Sequence, residues 1–190
     1  MQNPVKDYIK KAAAAVSDLE KLSGKIDKAV DLIVESYNKG GKVILFGNGG
    51  SAADAQHIAT EFVARFRRDR PAVPAISLTT NTSMLTAIGN DYGFEEIFSR
   101  QLEASMGECD VVVAISTSGA SKNVLKAIET ARAAGLPVIG FTAGEAGEMK
   151  NKCDLLINVP ADETSHAQEC HIVSGHAICE MVEKNLFEKQ

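Results

Sequence analysis

Five short apolar runs, at residues 43–46, 73–78, 111–115, 138–141 and 155–159, alternate with segments of helical period. That alternation restricts the fold more than any other feature of the chain. Val43-Ile44-Leu45-Phe46 carries no polar residue, so such a strand needs cover on both faces, as in a parallel sheet between helix layers. The intervening segments 52–65, 82–88 with 95–103, 124–134 and 145–151 read as the connecting helices of right-handed crossovers. Ahead of the first strand, residues 5–39 hold two helical stretches broken near Leu22-Ser23-Gly24. In the second, Ile26, Ala29, Val30, Ile33 and Val34 follow the i, i+3, i+4, i+7, i+8 pattern, and Gly40-Gly41 stops it. A long helix over 165–187 closes the chain. The expectation is an α/β three-layer sandwich with a five-stranded parallel sheet plus an N-terminal helical extension. It forms one domain over 1–190, with helices in 1–40 and the α/β core in 41–190. The extension and the last helix are left to pack together or against another subunit.

Composition excludes several functions. With 45% hydrophobic residues in 190, the chain can bury one sizeable core. Twenty Lys and Arg against 25 Asp and Glu give a net charge of −5, with no basic stripe for a nucleic acid. Aromatics are only 5% and Trp is absent, so base-stacking platforms are not expected either. No apolar run reaches the roughly 18–20 residues that cross a bilayer. The opening MQNPVKDYIKK has charges where a signal peptide needs its apolar stretch. A cytoplasmic protein with no membrane partner is expected. Cys109, Cys153, Cys170 and Cys179 form no C-x-x-C pair and read as reduced, small core residues.

Ligands of parallel sheets sit beyond the carboxyl ends of the strands, and two such ends are unusual. After the first strand comes Gly47-Asn48-Gly49-Gly50-Ser51-Ala52. Its glycines permit sharp turns and close approach, and the following helix start offers free N–H groups to an anion. The string fits G-x-G-x-x-A, but a dinucleotide site also wants an acidic residue after the second strand. Leu78-Thr79-Thr80-Asn81 has none, and no Gly-Lys-Ser/Thr follows to make a P-loop. The second end is Ser116-Thr117-Ser118-Gly119-Ala120-Ser121. One hydroxyl suffices for an N-cap worth about 1 kcal/mol. Four in six residues point instead to a phosphate held without lysine.

His57 and Glu61, spaced i, i+4, point from one helix face and suit one metal or an acid–base pair. The final helix carries His166, Gln168, Glu169, His171 and His176, of which His166 and His171 are assigned to the surface. Gln168 and His176 lie about 12 Å apart along an ideal axis and roughly 80° apart around it. Their convergence calls for long reach, helix distortion or two subunits. Glu169 aligns better with His176, so spacing alone does not choose between Gln168 and Glu169.

The segments GNGGSAADAQHIATEF, AIGNDYGFEEIFSRQ, AISTSGASKNVLKAI and QECHIVSGH together resemble the sugar isomerase (SIS) domain family, and within it the phosphoheptose isomerases. The likeness extends over nearly the whole chain. The S-T-S-G-x-S loop marks SIS domains in general, whereas H-x-x-x-E after G-N-G-G-S with Q-x-x-x-x-x-x-x-H is more specific. The resemblance implies the SIS fold and an aldose–ketose isomerase that interconverts sedoheptulose 7-phosphate and D-glycero-D-manno-heptose 7-phosphate. That is the first step of heptose synthesis for lipopolysaccharide or related glycans. It further implies one zinc per subunit on His57, Glu61, Gln168 and His176, and a homotetramer with active sites between subunits. Substrate contacts carried over by motif are Asn48, Gly49, Gly50, Ser51, Glu61, Asn90, Asp91 and Gln168, with Ser116, Thr117, Ser118 and Ser121 on the phosphate.

Isomerisation moves a proton between C1 and C2, so a base must take a carbon-bound proton and an acid must serve the oxygens. We assign Glu61 as the base and His176 as the acid. The alternative is a non-catalytic SIS module that binds a sugar phosphate or a replication initiator protein. Retention of His57, Glu61, Gln168 and His176 weighs against it.

Overall fold

The computed structural model describes residues 3–188. The chain runs α1 (Pro4–Ser17), α2 (Ser23–Asn38), β1 (Val43–Gly47), α3 (Gly50–Val63), β2 (Ala75–Ser77), α4 (Thr82–Asp91) and α5 (Ser99–Ser105). It continues through β3 (Val111–Ile115), α6 (Lys122–Ala133), β4 (Val138–Ala143), β5 (Leu155–Val159) and α7 (Thr164–Phe187). The five strands are all parallel, in the order β2-β1-β3-β4-β5. β1, β3 and β4 are buried along their whole length, as their unbroken apolar character requires. Alternate residues face opposite layers. Val43, Leu45, Val111 and Val113 join the core under α2, α3 and α7. Ile44, Phe46, Val112 and Ala114 join the core under α5 and α6. The three-layer α/β sandwich and its five-stranded parallel sheet are therefore as expected.

Local chemistry moved several boundaries. β2 shrinks to Ala75–Ser77. Pro71 and Pro74 lack N–H donors, and prolines are tolerated only at the margin of an edge strand. Residues 145–151 form no α-helix but a 3₁₀ turn over Gly147–Asn151. The backbone enters it through left-handed Ala146 (φ 65°) and Gly147 (φ 48°), which cannot start an α-helix. The stretch 95–103 divides into a turn at Phe94–Glu96 and α5. All four cysteines are free; Cys170 and Cys179 are buried, and Cys109 and Cys153 half-buried.

The surface assignment of His166 and His171 is corrected by the structure, since both are buried. α7 is enclosed on two sides. The α1 residue Tyr8 lies over the His166 ring at 4.6 Å, while its hydroxyl donates to Glu169 Oε1 at 3.0 Å. On the opposite side, His171 Nε2 donates to the Thr142 carbonyl at 3.2 Å. Its Nδ1 is buried without a partner. Burial pushes the His171 pKa down to about 4, against a smaller upward pull from the Thr142 hydrogen bond. Folding thus favours neutral His171. Its contribution is complete above the ordinary value near 6.5 and disappears as pH falls from there towards about 4. Urea unfolding at pH 7.5 and 4 is expected to show wild type losing about 3 kcal/mol more than His171→Gln. Equal losses in the two proteins would refute this account.

Candidate active site

From β1 the chain crosses to β2 on one side of the sheet, while β3 lies on the other and leads on to β4. The loops after β1 and β3 therefore part at a switch in winding direction, the place where parallel sheets open a crevice. Gly47 is level with Ile115, so the two loops leave the sheet side by side.

In the first loop Gly49 takes φ 56°, a conformation that favours glycine. A Cβ on Gly47 would stand 2.8 Å from the Ile115 carbonyl oxygen, so only glycine lets the loop hug β3. A Cβ on Gly50 would stand 2.3 Å from Gln168 Nε2, which shows how closely Gln168 of α7 approaches the start of α3. Ser51 is buried in that first turn. In the second loop, Ser121 is the N-cap residue of α6 yet makes no side-chain cap. Its Oγ lies 3.1 Å from Ser116 Oγ, which in turn is 3.5 Å from Ser118 Oγ. Helix capping therefore does not account for this hydroxyl. The Ala143 N–H donates to the Thr117 carbonyl at 3.1 Å and braces the loop. A cleft of about 250 Å³ opens between Thr117, Ser118 and the start of α7 at Thr164 and Ala167.

Gly50, Asp54, His57 and Glu61 recur at i, i+4, i+7 and i+11, one stripe of α3. α7 runs beside this helix in the same direction, meeting Gly50 at Gln168, Ile58 at Gly175 and His57 at His176. A Cβ on Gly175 would stand 2.6 Å from Ile58 Cδ1, so this glycine sets the spacing of the helices. As a result His57 Nε2 is 2.9 Å from His176 Nε2, and Glu61 Oε1 is 3.4 Å from His57 Nε2. One ligand atom from each of the three lies within 4.8 Å of the others. Phe66 covers the His176 ring at 5.6 Å.

The fold thus brings together three of the four anticipated metal ligands. Gln168 lies against Gly50, about two helical turns before His57 along α3. Glu169 accepts from the Tyr8 hydroxyl of α1 instead. Asn90 and Asp91 are exposed at the end of α4, where Asn90 Nδ2 donates to Asp91 Oδ1 at 2.7 Å. Among the described residues neither makes a hydrogen bond to the two loops.

Sequence reasoning missed three features. Asp54 shares the α3 stripe, and its Oδ2 is buried without a partner. Burial pushes its pKa up to about 6, partly offset by His57. Helical spacing from His57 was a sufficient signal for it. Asn123, buried at the start of α6, exchanges amide hydrogen bonds with Asn48. Glu183 of α7 accepts from the N–H groups of Phe66, Arg67 and Arg68 at 2.9–3.1 Å and from Arg70 Nε at 3.0 Å. Nothing within a local window announces either of these long-range pairings.

Two imidazoles and a carboxylate at this spacing can hold a divalent cation or relay protons, and the two loops beside them can receive an anion. The SIS domain family matches residues 7–143. A phosphoheptose isomerase of Burkholderia pseudomallei is 51% identical over 188 residues, covering 99% of this chain and 95% of the relative. Among solved structures, a phosphoheptose isomerase from Neisseria gonorrhoeae superposes with a TM-score of 0.90 at 39% identity, over 95% of this chain and 97% of that one. Another, from Francisella tularensis, gives 0.92 at 34% identity over the same shares.

Proposed function

The chain belongs to the SIS domain family, and on that footing we propose that it is a phosphoheptose isomerase. It interconverts sedoheptulose 7-phosphate and D-glycero-D-manno-heptose 7-phosphate, the opening step of heptose synthesis for lipopolysaccharide or a related glycan. The observation that carries this reading is the convergence of His57, Glu61 and His176 along the helix that starts at the glycine loop, with the serine loop leaving the sheet at that loop's side. An aldose–ketose isomerase needs that combination, a proton-transfer set next to an anion site. A sensor or scaffold needs only the anion site.

The hydroxyls of Ser116, Thr117, Ser118 and Ser121 and the N–H groups opening α6 hold the phosphate. Asn48, Gly49, Gly50, Ser51 and Gln168 line the sugar from the α3 side. Glu61 removes a proton from C1 of the ketose, and the C–H electron pair becomes the double bond of the enediolate. His176 gives a proton to the C2 oxygen and takes one from the C1 oxygen, and Glu61 returns its proton to C2. Asn90 and Asp91, exposed on α4 and bonded to each other, are assigned to a substrate held by a neighbouring copy, the arrangement of a homotetramer with intersubunit sites.

The donor set fits zinc. Bonds of about 2.0–2.1 Å put two ligand nitrogens of a tetrahedral ion about 3.3 Å apart. The two Nε2 atoms here stand at 2.9 Å, with a carboxylate adjacent. Without substrate, His57, Glu61 and His176 would hold the ion, whereas Gln168, seated against Gly50, is left to contact the sugar. Bound zinc supplies positive charge that polarises the sugar carbonyl. We place the protein in the cytoplasm, where sugar phosphates are made; among the described residues no helix is long and apolar enough to cross a membrane.

The test is incubation with sedoheptulose 7-phosphate, with NMR of the products, before and after chelation. Heptose 7-phosphate is expected from the untreated protein. Turnover should fall at least tenfold after chelation and return with zinc, in step with metal content by elemental analysis. Absence of heptose phosphate from metal-loaded protein would overturn the function.

A further inference from the structure

Asn48 and Asn123 face each other across the crevice at the switch point. Asn48 Nδ2 donates to Asn123 Oδ1 at 2.8 Å, and Asn123 Nδ2 donates to Asn48 Oδ1 at 2.9 Å, a closed ring of two amides. The orientation of Asn123 is not free. The Val124 N–H, in the first turn of α6, donates to Asn123 Oδ1 at 2.9 Å, so this atom must be the oxygen and the other the NH₂. Asn123 is 2% exposed, so water does not compete for its amide. The ring ties the glycine loop after β1 to the first turn of α6, beyond the serine loop after β3.

We infer that Asn123 is a positioning residue that acts through Asn48. It sets the rotamer and the oxygen–nitrogen orientation of that side chain and holds the glycine loop at a fixed distance from the serine loop. Each amide can donate two hydrogen bonds and accept more than one. The ring uses one donor and one acceptor of Asn48, leaving one N–H to present to the sugar. Without Asn123 the Asn48 amide can turn over and offer an oxygen where the substrate hydroxyl expects a donor. The two substrate-holding loops then also lose their side-chain link.

The inference rests on the isomerase reading for its kinetic test, and a second readout separates the two. Asn123→Asp keeps an acceptor for the Val124 N–H, and an acidic group suits a helix start, so α6 remains capped. It removes the NH₂ that Asn48 Oδ1 needs. kcat/KM for sedoheptulose 7-phosphate is expected to fall by about 10- to 100-fold, the scale of a lost buried hydrogen bond. Asn48→Ala should fall comparably, and Asn48→Ala/Asn123→Asp no further than the worse single variant. Hydrogen exchange of the peptide over residues 47–52 should quicken at least tenfold in Asn123→Asp, while that of 111–115 is unchanged. A wild-type rate in Asn123→Asp, or multiplying losses in the double variant, would overturn the inference. If wild type itself turns over no heptose phosphate, the isomerase reading fails and exchange decides: quickened exchange confined to 47–52 supports the loop link, and unchanged exchange refutes it.

Discussion

Glu61→Gln is expected to lower turnover of sedoheptulose 7-phosphate by about 10²- to 10⁴-fold, the range that a positioned general base contributes. Glu61 lies on the α3 stripe with His57, one turn further along, and its side chain is 19% exposed. Gln matches its shape and keeps an oxygen for His57 one turn back on the same helix, so the local packing survives. What it loses is the ability to carry a proton from C1 to C2. The loss should therefore fall on kcat more than on KM, since the phosphate is held by other groups. NMR kinetics, with circular dichroism and metal content measured on the same sample, check this. A folded, metal-loaded Glu61→Gln with near-normal kcat would remove Glu61 from the base role. His176→Gln is the companion experiment, because the acid and base act as one unit and their losses should not multiply.

The second large effect is on stability. Glu183→Gln is expected to cost about 3–5 kcal/mol, the scale of breaking a buried ion pair. Glu183 and Arg70 side chains are each only 3% exposed. Burial pushes the Glu183 carboxyl up, but the N–H groups of Phe66, Arg67 and Arg68 and the Arg70 guanidinium together hold it below the ordinary carboxylate range. Gln keeps the shape but removes the charge and turns an NH₂ towards donors. Arg70 would then be buried without its counter-ion while still capping α3 through the carbonyls of Glu61 and Phe62 at 2.9 and 2.8 Å. For a chain of this size the melting midpoint should drop by roughly 10 °C or more. Glu35→Gln, at the exposed Lys39 pair, provides the contrast and should leave the midpoint unmoved. Equal behaviour of the two variants would refute the assignment of Arg70–Glu183 as a clamp between α3 and α7.

Both variants bear on how much of the molecule could be read from its residues. The layers were legible because burial on both faces leaves a signature in each strand: Val43-Ile44-Leu45-Phe46 is apolar without alternation. The loops were legible because glycine and serine have local meaning at a strand end. His57 and Glu61 were legible as a pair because four residues make about one turn of any α-helix. What could not be read was which elements become neighbours. The order β2-β1-β3-β4-β5 places α3 and α6 on opposite layers, yet brings their first turns within reach of one amide ring at Asn48 and Asn123. Residue spacing did not choose between Gln168 and Glu169; in the fold Glu169 meets Tyr8 of α1 and Gln168 meets Gly50. His166 and His171, polar enough to belong at a surface, were enclosed by α1 and β4.

By itself, then, the sequence determined the periodic elements, the glycine and serine loops and the local His–Glu pair, because each is written within a window of a few residues. Only the tertiary structure decided that His176 meets His57, that Glu183 grips the end of α3 and that Asn123 steadies Asn48. Those contacts join residues between 75 and 119 positions apart, and the His57–His176 meeting exists only once α3 and α7 have packed at the distance that Gly50 and Gly175 allow.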